Sequence, residues 1–444
     1  MKRGIALLAS NRTLQKFPAR FVCLVWVALH VLAAPTQSQT VSDETLAGPD
    51  RHETGQGPHG HLFGDWGGAR SRLLERGVRF DLQYVSDSLW NLKSEQPERF
   101  ASWNRFRGTV DIDFGELTGW HNLYFHATAL WQGGGNLGTY LGLLTSPSGM
   151  SSQNTTRLDS WWIEKRWLNE RITARVGQFA GEDFYGAQHY APSFIFEPMG
   201  YALGNLFTDF ESFDPPSTPA AELRVAPIHN IYVKSMVVAE DRDPFGHNPT
   251  GFVPQFRGGP VSISEIGFTP GQKASSVRAF ESVENRKGYS GLYQFGASYN
   301  PRTFVTATGQ KRSGNYLLYW MASQALWRVD SRGSKGLDAT FAYDWSPPDV
   351  NRNNTLLTAG LRFNEPLPLA IHNTMSIGYV QNQLSQQFLP RGTPAWKTEH
   401  GVEFNTLLTP LPMLLVQPVV QYYANVGGRG QRAVVFGFRT KVEF

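Results

Sequence analysis

The stretch Val434-Val435-Phe436-Gly437-Phe438-Arg439-Thr440-Lys441-Val442-Glu443-Phe444 decides the fold. Successive side chains of a strand point to opposite faces. Val434, Phe436, Phe438, Thr440, Val442 and Phe444 therefore share one face, and Arg439, Lys441 and Glu443 lie on the other. Such a strand has an apolar solvent on one side and a polar one on the other.

Working outward, the same alternation recurs from Val78 onward. Val78, Phe80, Leu82 and Tyr84 alternate with Arg79, Asp81 and Gln83; Phe106, Val110, Ile112 and Phe114 alternate with Arg105, Arg107, Asp111 and Asp113. Sandwich strands average five or six residues. These run to about ten or twelve, the length of a tilted membrane-spanning strand, and carry aromatics near their ends. Sixteen such segments are expected, including 221–227, 230–239, 288–299, 303–312, 316–328, 398–408, 412–424 and 431–444, with 240–287 read as one long loop. Connectors tend to alternate between short and long. The sequence predicts an all-β fold, a transmembrane antiparallel barrel of about 16 strands spanning 78–444, with both termini on the periplasmic side.

No window after residue 34 approaches 18 consecutive apolar residues, and mean hydropathy is −0.32, so helical spans are not expected. A closed barrel is then the structure that can satisfy every backbone polar group within hydrocarbon. The 44 Gly, 13 Trp, 16 Tyr and 29 Phe suit tight turns and aromatic girdles. Trp131, Trp161, Trp167, Trp320, Trp327 and Trp345 fall at or near strand ends, as girdle residues do.

The N-terminus reads as an export signal over 1–34: Lys2, Arg3, Arg12, Lys16 and Arg20 precede an apolar run of about 14 residues ending at Ala33 and Ala34, too short for a span of roughly 20. Without those five residues the 41 basic side chains become 36 against 37 acidic ones, and no basic footprint for nucleic acid remains. The one cysteine, Cys23, lies in the signal, so the mature chain is expected to fold without disulfides. Residues 35–61 read as a flexible leader. Residues 62–77 hold a short periplasmic helix, with Asp65 as cap and Gly77 as stop.

Several stretches resemble the carbohydrate-selective porin (OprB) family. They are Gly64-Asp65-Trp66-Gly67-Gly68-Ala69-Arg70, Trp162 to Glu164, Arg175-Val176-Gly177-Gln178-Phe179 leading to Asp183-Phe184, Tyr316 to Trp327, and Gln417-Pro418-Val419-Val420-Gln421-Tyr422 through Gly428. The resemblance covers most of 62–444. It implies a sixteen-stranded outer-membrane barrel admitting glucose and other small sugars. The final Phe444 resembles the terminal signature read by the barrel assembly machinery. The chain departs from the family pattern in the Gly- and Pro-rich segment 240–287 and at Val419, where an acidic residue is common.

Diffusion needs no catalytic group or cofactor, only a wetted constriction whose side chains replace part of the solute's hydration. Strand parity points Arg105, Arg107, Asp111, Asp113, Glu164, Arg166, Arg171, Arg175, Gln417 and Gln421 into the lumen as candidate sugar contacts. The alternative is that such residues pair across strands and fill space. Glu182 and Asp183, in the third long loop (181–220), are candidates for a constriction loop folded into the pore. Small sugars and outer-membrane lipid are the expected partners, and a homo-oligomer is compatible with the pattern. Neither a Gly-x-Ser-x-Gly elbow nor a convergent triad is present, which argues against an enzyme, and no metal ligand set stands out. The competing reading is a general or anion-conducting porin of the same architecture, or a barrel with an adhesive role.

Overall fold

The computed structural model describes residues 60–151, 153–181, 184–186, 193–200, 217–241, 243–271, 288–331, 333–389 and 398–444. Sixteen antiparallel strands close into one barrel. They are β1 (Val78–Lys93), β2 (Arg99–Asp113), β3 (Leu123–Gly134), β4 (Thr155–Trp167), β5 (Ile172–Phe179), β6 (Thr218–Ile228), β7 (Ile231–Ala239) and β8 (Pro260–Phe268). The ring continues through β9 (Gly291–Val305), β10 (Lys311–Arg328), β11 (Gly336–Trp345), β12 (Asn353–Asn364), β13 (His372–Leu384), β14 (Thr398–Leu411), β15 (Leu414–Val426) and β16 (Gln431–Glu443). Among the described residues no helix is long and apolar enough to cross a membrane. The barrel crosses with strands.

Burial follows parity. On β2, Arg105 keeps 7% of its surface and Phe106 keeps 38%. Outward faces carry Trp131, Ile163, Val176, Trp320, Phe363 and Phe404, all exposed, while the inward positions of β11 to β16 are buried. Four of the six expected girdle tryptophans, Trp131, Trp167, Trp320 and Trp327, are exposed on the outer surface, and Trp161 and Trp345 are partly so.

Closure joins β1 to β16, with Tyr84 opposite Val442 and Ser88 opposite Phe438. The expected N-terminal helix is α1 (Ala69–Glu75), entered through a 3₁₀ turn at Trp66–Gly68. Its N-cap is Gly68 rather than the expected Asp65, which stands before the 3₁₀ turn and accepts the backbone N–H of Ser71 at 2.8 Å. The turn and α1 sit on the closing seam: Trp66 packs on Phe80, Phe63 on Phe444, and Arg70 donates to the Phe444 carbonyl at 2.6 Å. The Gly64 to Arg70 block therefore clamps the first strand to the last.

Two strand expectations need correction, and they cancel in the count. The segment 240–287 contains β8, whose Val261 and Ile263 are fully buried on the inside while Ser262 and Ser264 face out. Its apolar-out alternation holds only over its second half, where Glu265 faces in and Ile266 and Phe268 face out, so a search for that alternation passes over it. Conversely, 288–299, 303–312 and 316–328 are two strands, not three. Asn300-Pro301-Arg302 reads as a turn, but β9 runs through it. Pro301 lies where the register with β10 shifts between Ser313 and Asn315, at Gly314 with φ +80°. A bulge leaves the proline's missing donor without a partner to disappoint. With both corrections, 306–310 becomes a connector at the same end as 94–98, 135–154 and 180–217.

A cysteine at Thr308 should react with a membrane-impermeant maleimide on intact cells, and one at His229 only after the outer membrane is opened. Protection of Thr308→Cys would restore the three-strand reading.

Candidate functional site

The inward wall of β4, β5 and β6 carries a cross-strand row. Glu164 stands opposite Arg175, which stands opposite Glu222. Arg175 Nη2 lies 2.6 Å from Glu164 Oε2 and its Nη1 3.5 Å from Glu222 Oε1. Arg166 completes the set, 2.5 Å from Glu164 and 2.8 Å from Glu170. On the next two strands, Lys234 of β7 pairs with Glu265 of β8 at 3.1 Å, and Glu265 also accepts the hydroxyls of Tyr232 and Tyr319 at 2.7 Å each. Buried charges persist only when paired and hydrogen-bonded. Here they are paired along the wall.

Aromatic rings cover the row. The Arg175 guanidinium lies 3.8 Å from the Phe184 ring centre and 4.6 Å from that of Trp162. Trp162 stacks on His126 at 4.9 Å, and His126 Nδ1 is 2.7 Å from Asp111. Lys234 Nζ donates to the Phe184 carbonyl and stands over the Tyr185 ring. Burial, reinforced by Glu222 and Glu265, holds the Tyr185 hydroxyl well above the usual tyrosine range, so it stays neutral.

The opposite wall receives two loops. Glu403 on β14 accepts the backbone N–H of Ile195 at 2.9 Å and of Phe196 at 2.8 Å. Asn405 and Gln417 both donate to the Ser193 carbonyl, at 2.9 and 2.8 Å. Phe194, Ile195, Phe196 and Met199 are buried on the lumen side. They fit because Gly360, Gly378 and Gly401 leave a notch: a Cβ at these positions would lie 2.7, 2.9 and 2.4 Å from Met199, Phe194 and Phe196. Glu399, four residues earlier on the same face of β14, accepts the N–H groups of Leu144 and Thr145. Gln421 donates to the Pro147 carbonyl and to Glu403. Glu197 accepts Ser146 N–H at 3.0 Å, which stitches the loops together, and Asp87, held by Arg439 at 2.7 Å, accepts the Ser148 hydroxyl.

The structure thus distributes the expected lumen residues among distinct tasks. Glu164, Arg166 and Arg175 form the buried row. Gln417 and Gln421 hold loops. Arg105 donates to Gln132 and to the Met150 carbonyl. Arg107 and Asp111 remain partly exposed on the inward face. Two differ from expectation: Asp113 caps the turn after β2, accepting Gly115 N–H at 2.8 Å, and Arg171 lies exposed in the turn before β5 rather than on the strand. Glu182 and Asp183 lie outside the described residues. Residues 193–199 of the same loop do fold inward. Glu399, Glu403, Lys234, Glu265 and Asp87 escaped the sequence reading, although their inward parity was available.

With this geometry in hand, the comparisons are decisive about family. A family model described as carbohydrate-selective porin, OprB family, matches residues 98–444. The chain belongs to that family. Porin B of Pseudomonas aeruginosa is 29% identical over 135 residues, a stretch covering 28% of this chain and 29% of Porin B. The high-pH structure of Pseudomonas putida OprB superposes with a TM-score of 0.76 at 18% identity, covering 88% of this chain and 100% of that one. The low-pH structure of the same protein gives 0.56 at 16% identity over the same shares. At these identities the structural likeness speaks for the fold.

Glu403→Ala removes a charged acceptor from two buried N–H groups, a loss of about 2 kcal/mol or more. It should at least double single-channel conductance, and Gly378→Val, which fills the notch, should act in the same direction. Unchanged conductance in both would show that the seated loop does not limit flow.

Proposed function

We propose that this carbohydrate-selective porin is a passive outer-membrane channel for small neutral sugars, with no covalent step. The observation that carries this reading is a lumen entered by loops seated on β12 to β14, with a paired charged row covered by Trp162, Phe184 and Tyr185 on the β4 to β6 wall. Pairing keeps the buried row without a net charge to trap ions, while the partly exposed Arg107, Thr109 and Asp111 offer directional donors and acceptors to hydroxyls.

Because Glu164 and Arg175 are themselves covered, a passing sugar meets the partly exposed Arg107, Thr109, Asp111 and Arg224, and the buried row fixes the shape of the passage behind them. In this reading residues 1–34 are removed on export, α1 and the turn at residues 412–413 face the periplasm, the outward faces meet lipid, and Phe444 engages the barrel assembly machinery.

Liposome swelling tests the proposal. Glucose should enter about tenfold faster than a zwitterionic amino acid of similar mass, and Arg175→Gln should reduce that preference. Equal permeation of sugar, amino acid and salt would leave a general porin.

A further inference from the structure

One buried cation in the barrel wall has no hydrogen-bond acceptor among the described residues. Arg157, near the long-loop end of β4, keeps 4% of its surface, and none of its Nε, Nη1 or Nη2 atoms has a hydrogen-bond partner. Asp159 approaches Nε only to 3.9 Å, and the Phe245 ring centre lies 5.3 Å from the guanidinium carbon. Every other buried arginine on this wall that the sugar reading uses is engaged: Arg105 by Gln132, Arg166 and Arg175 by glutamates. A guanidinium that is desolvated and given no acceptor is a costly arrangement unless something supplies the acceptor.

The surroundings indicate what. Register places Arg107 opposite Leu130 and Leu130 opposite Arg157, so Arg157 and Arg107 face inward in one row, with Arg105 and Gln132 in the next. Three arginines stand here against Asp159. Arg107 stays partly exposed to the lumen, which gives the row an open end. The far side is closed by the loop after β7: Leu158 N–H donates to the Thr250 carbonyl at 2.9 Å, and Gln178 ties Asp159 and Gly251 together through their carbonyls. Arg157 is therefore a fixed, covered cation beside an aromatic ring, with the partly exposed Arg107 two strands away on the same inward row.

We infer that Arg157 forms an anion subsite near the long-loop mouth that takes the carboxylate of an acidic sugar, such as a uronate. The planar guanidinium matches both carboxylate oxygens through parallel N–H donors, and the Phe245 ring accommodates the sugar's C–H face. The inference rests on reading the chain as a sugar channel, and adds a second solute class to it.

Block of current through the full-length barrel in planar bilayers is the test, using glucuronate, its uncharged methyl ester, glucose and acetate at constant ionic strength. Glucuronate should reach half-block at about one tenth the concentration needed for glucose or the ester. In Arg157→Gln that advantage should fall within twofold while glucose block persists. Arg157→Lys, which keeps charge but loses the planar fork, should retain about threefold. Equal block by glucuronate and its ester in the wild type, or an undiminished advantage in Arg157→Gln, would overturn the subsite. So would acetate matching glucuronate, because the recess would then read charge alone. Should Arg157→Gln fail to insert, a full advantage in Arg157→Lys would count against it. Loss of glucose block with a surviving glucuronate advantage would instead sink the neutral-sugar reading and leave the subsite standing.

Discussion

The carboxylate of Glu403, accepting the backbone N–H groups of Ile195 and Phe196, is the contact on which the interior of this barrel depends. A sixteen-stranded ring encloses more space than its own side chains fill. Something must enter the lumen, and whatever enters brings backbone donors that need acceptors away from bulk water. Glu403 supplies two at once and is itself steadied by Asn405 and Gln421.

Packing and polarity work together at this point. The glycines at 360, 378 and 401 remove side chains where Phe194, Phe196 and Met199 must sit. Apolar burial then holds the loop tip, and Glu403 fixes its direction. Glu399 repeats the arrangement for residues 144 and 145, and the Ser146 to Glu197 bond joins both insertions. Across the lumen, the Glu164, Arg175 and Glu222 row keeps its charges paired within the wall, so the narrowed passage carries polar groups without an unbalanced ion. Among the described residues Arg157 lacks a hydrogen-bond acceptor, and on β11 the buried Asp344 carboxylate likewise lacks a donor.

The barrel was legible because alternation is a local property. The strand ending on Phe444, the inward parity of Glu164 and Arg175, and the outward tryptophans could all be read from neighbours two residues apart. Reading failed where a local rule was broken for a tertiary reason. β8 inverts its polarity over Val261 to Ser264, and β9 accommodates Pro301 in a bulge of its own, where Pro301 and Arg302 together oppose Gly314 of β10. Asp113 looked like a lumen residue by parity alone, but the turn after β2 claims its side chain. Glu403 was missed for a different reason. Its partner lies 208 residues away, and nothing near it in sequence distinguishes a loop anchor from one more inward carboxylate.

Amide hydrogen exchange at Ile195 and Phe196 in the intact, detergent-solubilised barrel tests the central claim most directly. Both amides should be protected like those of the strands, for hours, and Glu403→Gln should shorten that protection by about tenfold or more. Exchange within seconds in the wild-type protein, at the rate of a solvated loop, would contradict the account.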